Sequence, residues 1–126
     1  MMAKTPDDIL SLNNLSMLIY KYELDHLDEG LKYALHAQEL APQVPAVRDT
    51  VGEILARMGR WDEALPILEG CLAGLPEEWN LHNTLAQIYE QKGMKDRSAA
   101  HKAAVARIKR PLDADNYEKL PPLKKP

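Results

Sequence analysis

The sequence predicts an all-α fold, a right-handed solenoid of three helix-turn-helix repeats, from two observations. Apolar residues recur at helical spacing, and short motifs recur every 34 residues along the chain. The segment Asp28-Glu29-Gly30-Leu31 returns as Asp62-Glu63-Ala64-Leu65, and two further pairs share the same offset, Pro42 with Pro76 and Gly59 with Gly93. Repetition with this period is typical of stacked helical units.

Each repeat divides into two predicted helices. Thr5-Pro6-Asp7-Asp8 has the N-cap, the first-turn proline and the acidic residues that begin a helix. We expect the first helix to run to Tyr22 and the others to cover about 27–40, 45–58, 61–73, 77–92 and 95–109. Pro111 ends the last helix, because proline cannot continue the hydrogen-bonding pattern.

These helices define the domain organisation. Residues 1–8 form an N-terminal cap segment, 9–110 form the repeat domain, and 111–126 form a proline-rich, flexible tail. The repeats lie near 9–44, 45–78 and 79–110. One helix pair is too small to bury a core alone, so the units must stack.

Composition excludes several classes of protein. The apolar runs are far shorter than the ~20 residues of a membrane span, and no secretory signal is expected. The single cysteine, Cys71, excludes an internal disulfide and a cysteine-rich zinc site. A cytoplasmic location is therefore expected by default.

The net charge of −3 is unevenly distributed. Residues 1–91 contain 6 basic and 15 acidic residues, whereas 92–110 contain 7 basic residues and 1 acidic residue. A basic segment of this kind can bind nucleic acid. Nucleic-acid binding is not favoured here, because the segment lacks interleaved aromatic residues. We expect it to be the solvated face of a last helix.

Small residues stand where the paired helices would cross. In the second unit they are Gly52, Ala64 and Cys71, and in the third Ala86, Ser98 and Ala104. Together with the glycine between paired helices and the proline that closes a unit, this pattern resembles the tetratricopeptide repeat over about residues 9–110. The first unit fits only if its inter-helix turn is two residues longer. The resemblance implies a non-catalytic protein–protein interaction module.

The resemblance also implies where a partner would bind. In this family the first helix of each pair lines a groove that takes a peptide or a helix. Carried over by position, the groove residues are Asn13, Met17, Tyr20, Lys21, Asp49, Glu53, Arg57, Asn80, Asn83, Gln87 and Glu90. These residue types suit a polar or mildly basic peptide.

For one sub-family of these repeats, the binding residues can be compared directly with this sequence. Its members clamp the C-terminal carboxylate of heat-shock chaperones with lysine, asparagine and arginine. The matching positions here are Asn13, Met17, Thr50, Asn80 and Thr84. None of them supplies a cation, so a doubly charged carboxylate would have no charge-assisted partner. A chaperone-tail clamp is therefore excluded.

The first helix is apolar in nearly every direction, which is typical of a helix that is covered on all sides. We therefore expect Leu10, Met17 and Leu18 to form a partner surface or a homodimer contact. No catalytic, metal-binding or cofactor-binding motif is present, and the four histidines are expected to be solvated or half-buried. Two alternatives stay open: a small cytoplasmic chaperone for secreted or assembling subunits, and an accessory subunit that docks on an enzyme.

Overall fold

A computed structural model describes residues 9–22 and 24–112, without the side chains of 20–22 and 24. All regular structure in this part of the chain is helical, which confirms the predicted all-α class. The helices are α1 Ile9–Tyr22, α2 Leu27–Leu40, α3 Pro45–Arg57, α4 Trp61–Cys71, α5 Trp79–Gln91 and α6 Lys95–Arg107. The predictions for α3 to α6 were one to two residues too long at one or both ends. The predicted cap segment 1–8 and tail residues 113–126 lie outside the described residues.

The 34-residue period is visible in the starts of the second helices, at Leu27, Trp61 and Lys95. The start of α1 precedes that of α3 by 36 residues, two more than the period, and a 3-10 turn at Leu24–His26 lies between α1 and α2. The first unit therefore has a longer connection than the other two, as its resemblance to the family required.

Gly59 and Gly93 end α3 and α5 in the same way. Their φ angles are 81° and 78°, a left-handed conformation that glycine adopts without steric cost. After α3, the Arg60 amide donates to the Leu55 carbonyl at 2.9 Å and the Gly59 amide to the Ala56 carbonyl at 3.0 Å. The same pair of bonds recurs 34 residues later around Gly93. Each glycine therefore closes a Schellman motif that turns the chain into the next helix.

The helices of each pair pack against one another, and the pairs stack through α2 on α3 and α4 on α5. A Cβ atom at Gly52 would lie 2.6 Å from Leu68 Cδ2. Only glycine therefore allows α3 and α4 to approach this closely. The first helices also contact in order, α1 with α3 and α3 with α5. We call the surface formed by α1, α3 and α5 the inner face.

Candidate binding groove

The inner face contains a cavity of about 100 Å³ to which all three first helices contribute. We call it the groove pocket. Its polar lining residues are Asn13, Asp49, Thr50, Glu78 and Asn80. Its apolar lining residues are Met17, Ala46 and Leu75. Four of the residues predicted for the groove, on three separate helices, are therefore brought to one place.

Glu53 on α3 is fully buried, with 0% of its surface exposed, and does not line the groove pocket. Thr84 on α5 donates its hydroxyl hydrogen to Glu53 Oε1 at 2.7 Å, and the Asn80 amide also donates to this carboxylate. Burial is the largest effect on the carboxyl group and raises its pKa to about 7. Arg57 and the two hydrogen bonds partly oppose that rise. Glu53 therefore joins α3 to α5 and is not part of the solvent-facing surface.

Asp49 lies one helical turn before Glu53 on α3 and lines the groove pocket itself. Burial raises its pKa well above the ordinary value, and the nearby carboxylates of Glu53 and Glu78 raise it further. The pKa of Glu53 is likewise raised by Glu78. Three carboxyl groups thus lie close to one another, and Glu78 makes ionisation of both Asp49 and Glu53 more costly.

The polar atoms around the pocket are poorly matched. Three buried oxygen atoms of its lining residues have no hydrogen-bond donor among the described residues: Asn13 Oδ1, Asp49 Oδ1 and Asn80 Oδ1. They come from α1, α3 and α5. A buried acceptor without a donor costs free energy. The pocket is therefore suited to a group that brings donors.

The other predicted groove residues extend the inner face beyond the pocket. Arg57 is buried at the end of α3, and Asn83 and Gln87 are half-buried on α5. Glu90 is exposed and accepts a hydrogen bond from Lys102 on α6. The side chains of Tyr20 and Lys21 lie outside the described residues.

The residues predicted for a dimer or partner contact occupy two different environments. Leu10 and Leu18 on α1 are 66% and 55% exposed. Met17 is half-buried and packs against the main hydrophobic core, where its sulfur accepts a hydrogen bond from the Asn13 amide at 3.7 Å. The two leucines are therefore exposed, whereas Met17 is partly covered by the core.

A second cluster of ionisable residues joins α5 to α6, and sequence reasoning missed it. His82 Nδ1 and His101 Nδ1 are 2.9 Å apart, and His82 Nε2 lies 2.9 Å from the Pro76 carbonyl oxygen. A carbonyl only accepts, so His82 Nε2 carries a hydrogen and donates it to Pro76, and the two Nδ1 atoms share the second hydrogen bond. We call this contact, together with Ser98, the α5–α6 seam.

The seam corrects the expectation that the histidines are solvated or half-buried, since His82 is buried. His101 also stacks on Tyr89, with a distance of 5.8 Å between ring centroids. Burial lowers the pKa of His101, and His82 lowers it further. No sequence signal points to this pair, because its members are 19 residues apart on different helices.

The basic segment is partly neutralised within the fold. Lys92 contacts Asp62 at 2.9 Å, Arg107 contacts Glu77 at 2.8 Å, and Lys102 pairs with Glu90. Arg97 and Arg110 lie over the rings of Tyr89 and Trp79. Five of the seven basic residues in 92–110 thus have partners in the fold.

Cys71 has the environment of a packing residue. Its side chain is fully buried between α3 and α4, and its thiol lies 3.6 Å from the Pro45 carbonyl oxygen. Burial raises the pKa of the thiol to about 11, so it is protonated near neutral pH and weakly nucleophilic.

Among known proteins, a solved structure described as "MamA MSR-1 C2" has the same fold, with a TM-score of 0.64 and 25% sequence identity. The match covers 82% of this chain and 58% of that chain, and MamA is a protein that contains tetratricopeptide repeats. The chain therefore has a tetratricopeptide-like helical repeat fold, the architecture of a protein–protein interaction module. Neither protein-family models nor curated proteins give a match. No helix in the described residues is long and apolar enough to cross a membrane.

Proposed function

We propose that this chain is a non-catalytic interaction module that binds an extended peptide or a helix of a protein partner along its inner face. The observation that carries the proposal is the groove pocket, where polar side chains from α1, α3 and α5 meet around acceptor atoms without donors. Polar groups that serve only the fold are normally satisfied within it. The half-buried amides of Asn83 and Gln87 extend the same polar surface along α5.

The test is a selection of linear 12-residue peptides from a random displayed library against the full chain. A double variant, Asn83→Lys with Gln87→Lys, places two long cations on the inner face without entering the core. The matched control, Ala99→Lys with Ala103→Lys, places the same charges on exposed positions of α6. Selected peptides should bind the control and the unmodified chain equally and the inner-face variant at least about tenfold more weakly.

The same selection separates the proposal from its alternatives. An adaptor should recover peptides with one shared short motif. A small cytoplasmic chaperone should recover many unrelated apolar peptides, and an accessory subunit of an enzyme should recover none in the groove. Peptides whose binding is insensitive to the Asn83/Gln87 change would contradict the inner-face proposal.

A second contact through α1 belongs to the proposal as well. Leu10 and Leu18 expose large apolar side chains, and pairing them across a two-fold axis would remove that surface from water. Leu10→Glu with Leu18→Glu should convert a dimer into a monomer in sedimentation equilibrium, whereas Leu35→Glu with Leu40→Glu, at exposed positions on α2, should not. A monomeric unmodified chain at 100-micromolar-scale concentration would exclude the homodimer.

A further inference from the structure

Among the described residues, the groove pocket is lined by carboxyl groups and by no basic side chain. Asp49 and Glu78 line it, and the Glu53 carboxyl group is buried close enough to act on Asp49. Burial and these neighbours make ionisation of Asp49 costly. A cation in the pocket would stabilise the ionised carboxylates, so a positively charged ligand fits it.

Asn80 gives a second indication. It is 4% exposed and lines the pocket. Its side chain lowers the pKa of Glu53 as a hydrogen-bond donor does, so its NH₂ group faces that carboxyl group. Its buried oxygen, Oδ1, has no donor among the described residues. The pocket therefore suits a ligand that brings a donor as well as a positive charge.

The apolar residues of the pocket lining restrict the chemistry of the ligand further. Met17, Ala46 and Leu75 border the same cavity as the carboxyl and amide groups. A lysine side chain has this division, with an apolar stem and a compact ammonium head that carries three donors. The cavity of about 100 Å³ has room for a few groups of the size of a water molecule, each about 30 Å³.

Two other kinds of cation fit the groove pocket less well. A guanidinium presents its donors in a flat fork suited to one carboxylate, whereas the acceptors here come from three helices. A divalent metal needs several carboxylate or imidazole ligands at one point. The described residues contain no group of three such side chains that could hold a metal ion.

We propose that the groove pocket is a lysine-recognition subsite, in which a partner's lysine ammonium donates to Asp49, Asn80 and Asn13 while its stem packs on Met17 and Leu75. This subsite rests on the proposed peptide-binding function and specifies the chemistry of the residue that enters the groove. Acetylation of that lysine removes its charge and two of its three donors, and so abolishes recognition.

The first experiment tests the subsite without a peptide. n-Butylammonium, which reproduces the head and stem of lysine, is titrated into the ¹⁵N-labelled full chain, and amide signals are followed by NMR. The side-chain NH₂ signals of Asn13 and Asn80 should shift to saturation, and n-butanol should leave them unmoved. Asp49→Asn should abolish the shift. Asp28→Asn removes the same charge from an exposed position on α2 and should leave it intact.

The second experiment uses the peptides recovered by selection on the inner face. Replacement of their shared lysine by norleucine or acetyl-lysine should weaken binding at least about tenfold, and Asp49→Asn should cause a similar loss. Replacement by arginine should also weaken binding.

The outcomes of the two experiments separate the two proposals. Butylammonium binding without any groove peptide would contradict peptide binding and support the subsite. Groove peptides that tolerate norleucine would overturn the lysine subsite and leave peptide binding standing. Saturable shifts with calcium or magnesium chloride, but none with butylammonium, would assign the pocket to a metal and overturn the proposal.

Discussion

The groove pocket and the α5–α6 seam both bury ionisable side chains between helices, but they differ in whether the buried polar groups have hydrogen-bond partners. In the seam, His82 bonds to both His101 and Pro76, and Ser98 donates to the Ala86 carbonyl at 2.9 Å. In the pocket, three acceptor oxygens lack a donor among the described residues. Polar groups that are satisfied internally hold a fold together, whereas unmatched ones lower its stability and are retained where a ligand completes them. The seam is therefore structural, and the pocket is where binding is expected.

The largest effect is expected when a larger side chain is placed in the α5–α6 seam. Ser98 is buried and lies where α6 crosses α5, so a leucine there has no room. Ser98→Leu should lower the free energy of unfolding by about 3 kcal/mol, since an overpacked core must separate the helices. Urea denaturation followed by circular dichroism measures the change, with Ala99→Leu at the exposed neighbouring position as the control. Equal stability of the two variants would show that the seam is loosely packed.

Removing the contact between His82 and His101 should cause a smaller loss of stability. His82→Ala removes two hydrogen bonds and leaves the Pro76 carbonyl without its donor, so we expect a destabilisation of about 2 kcal/mol. His26→Ala, on an exposed histidine, should have no measurable effect in the same denaturation experiment. Binding of groove peptides should be unchanged by His82→Ala under folding conditions. A loss of binding with full stability would mean that the seam belongs to the site.

A substitution in the groove pocket should raise the free energy of unfolding, whereas substitutions in the seam lower it. Asp49→Asn removes a carboxylate whose ionisation is opposed by burial and by its neighbours. The variant should gain about 1 kcal/mol of stability near neutral pH while losing affinity for the ligand. Thermal and urea denaturation of Asp49→Asn and of the exposed Asp28→Asn measure the difference. A less stable Asp49→Asn chain would show that this carboxylate is an internal structural partner.

The architecture could be predicted from the sequence because it rests on local signals. Gly59 and Gly93 end helices through a backbone conformation that glycine favours, and Gly52 permits a helix crossing that any side chain would block. These constraints act on residues at fixed spacing. These constraints are therefore visible in the sequence itself as a 34-residue repeat.

The chemistry of the pocket and seam could be predicted only in part. The stripe of Asp49, Glu53 and Arg57, four residues apart on one helix, placed these side chains on a common face. Their burial and the orientation of Asn80 depend on how three helices meet. The contact between His82 and His101 likewise requires the stacking of α5 on α6, which has no local signature.

On acidification, the groove pocket and the α5–α6 seam should change the stability of the fold in opposite directions. The pKa of Glu53 is raised to about 7 and that of Asp49 is also raised. The folded chain therefore binds these protons more readily than the unfolded chain, and stability should increase as the pH falls from above 7 towards 4.5. The pKa of His101 is lowered from 6.5, so the unfolded chain takes this proton first and stability is lost as the pH falls below 6.5.

In the unmodified chain these contributions oppose each other, but two carboxyl groups act against one histidine, so stability should rise as the pH falls from 7.5 to 5.5. Two variants expose them separately in urea denaturation at each pH. Asp49→Asn with Glu53→Gln leaves the histidine effect, so its stability should fall on acidification. His101→Gln keeps an amide donor for His82 without titrating there, so its stability should rise more steeply than that of the unmodified chain. If both variants followed the unmodified chain, neither region would control the pH response.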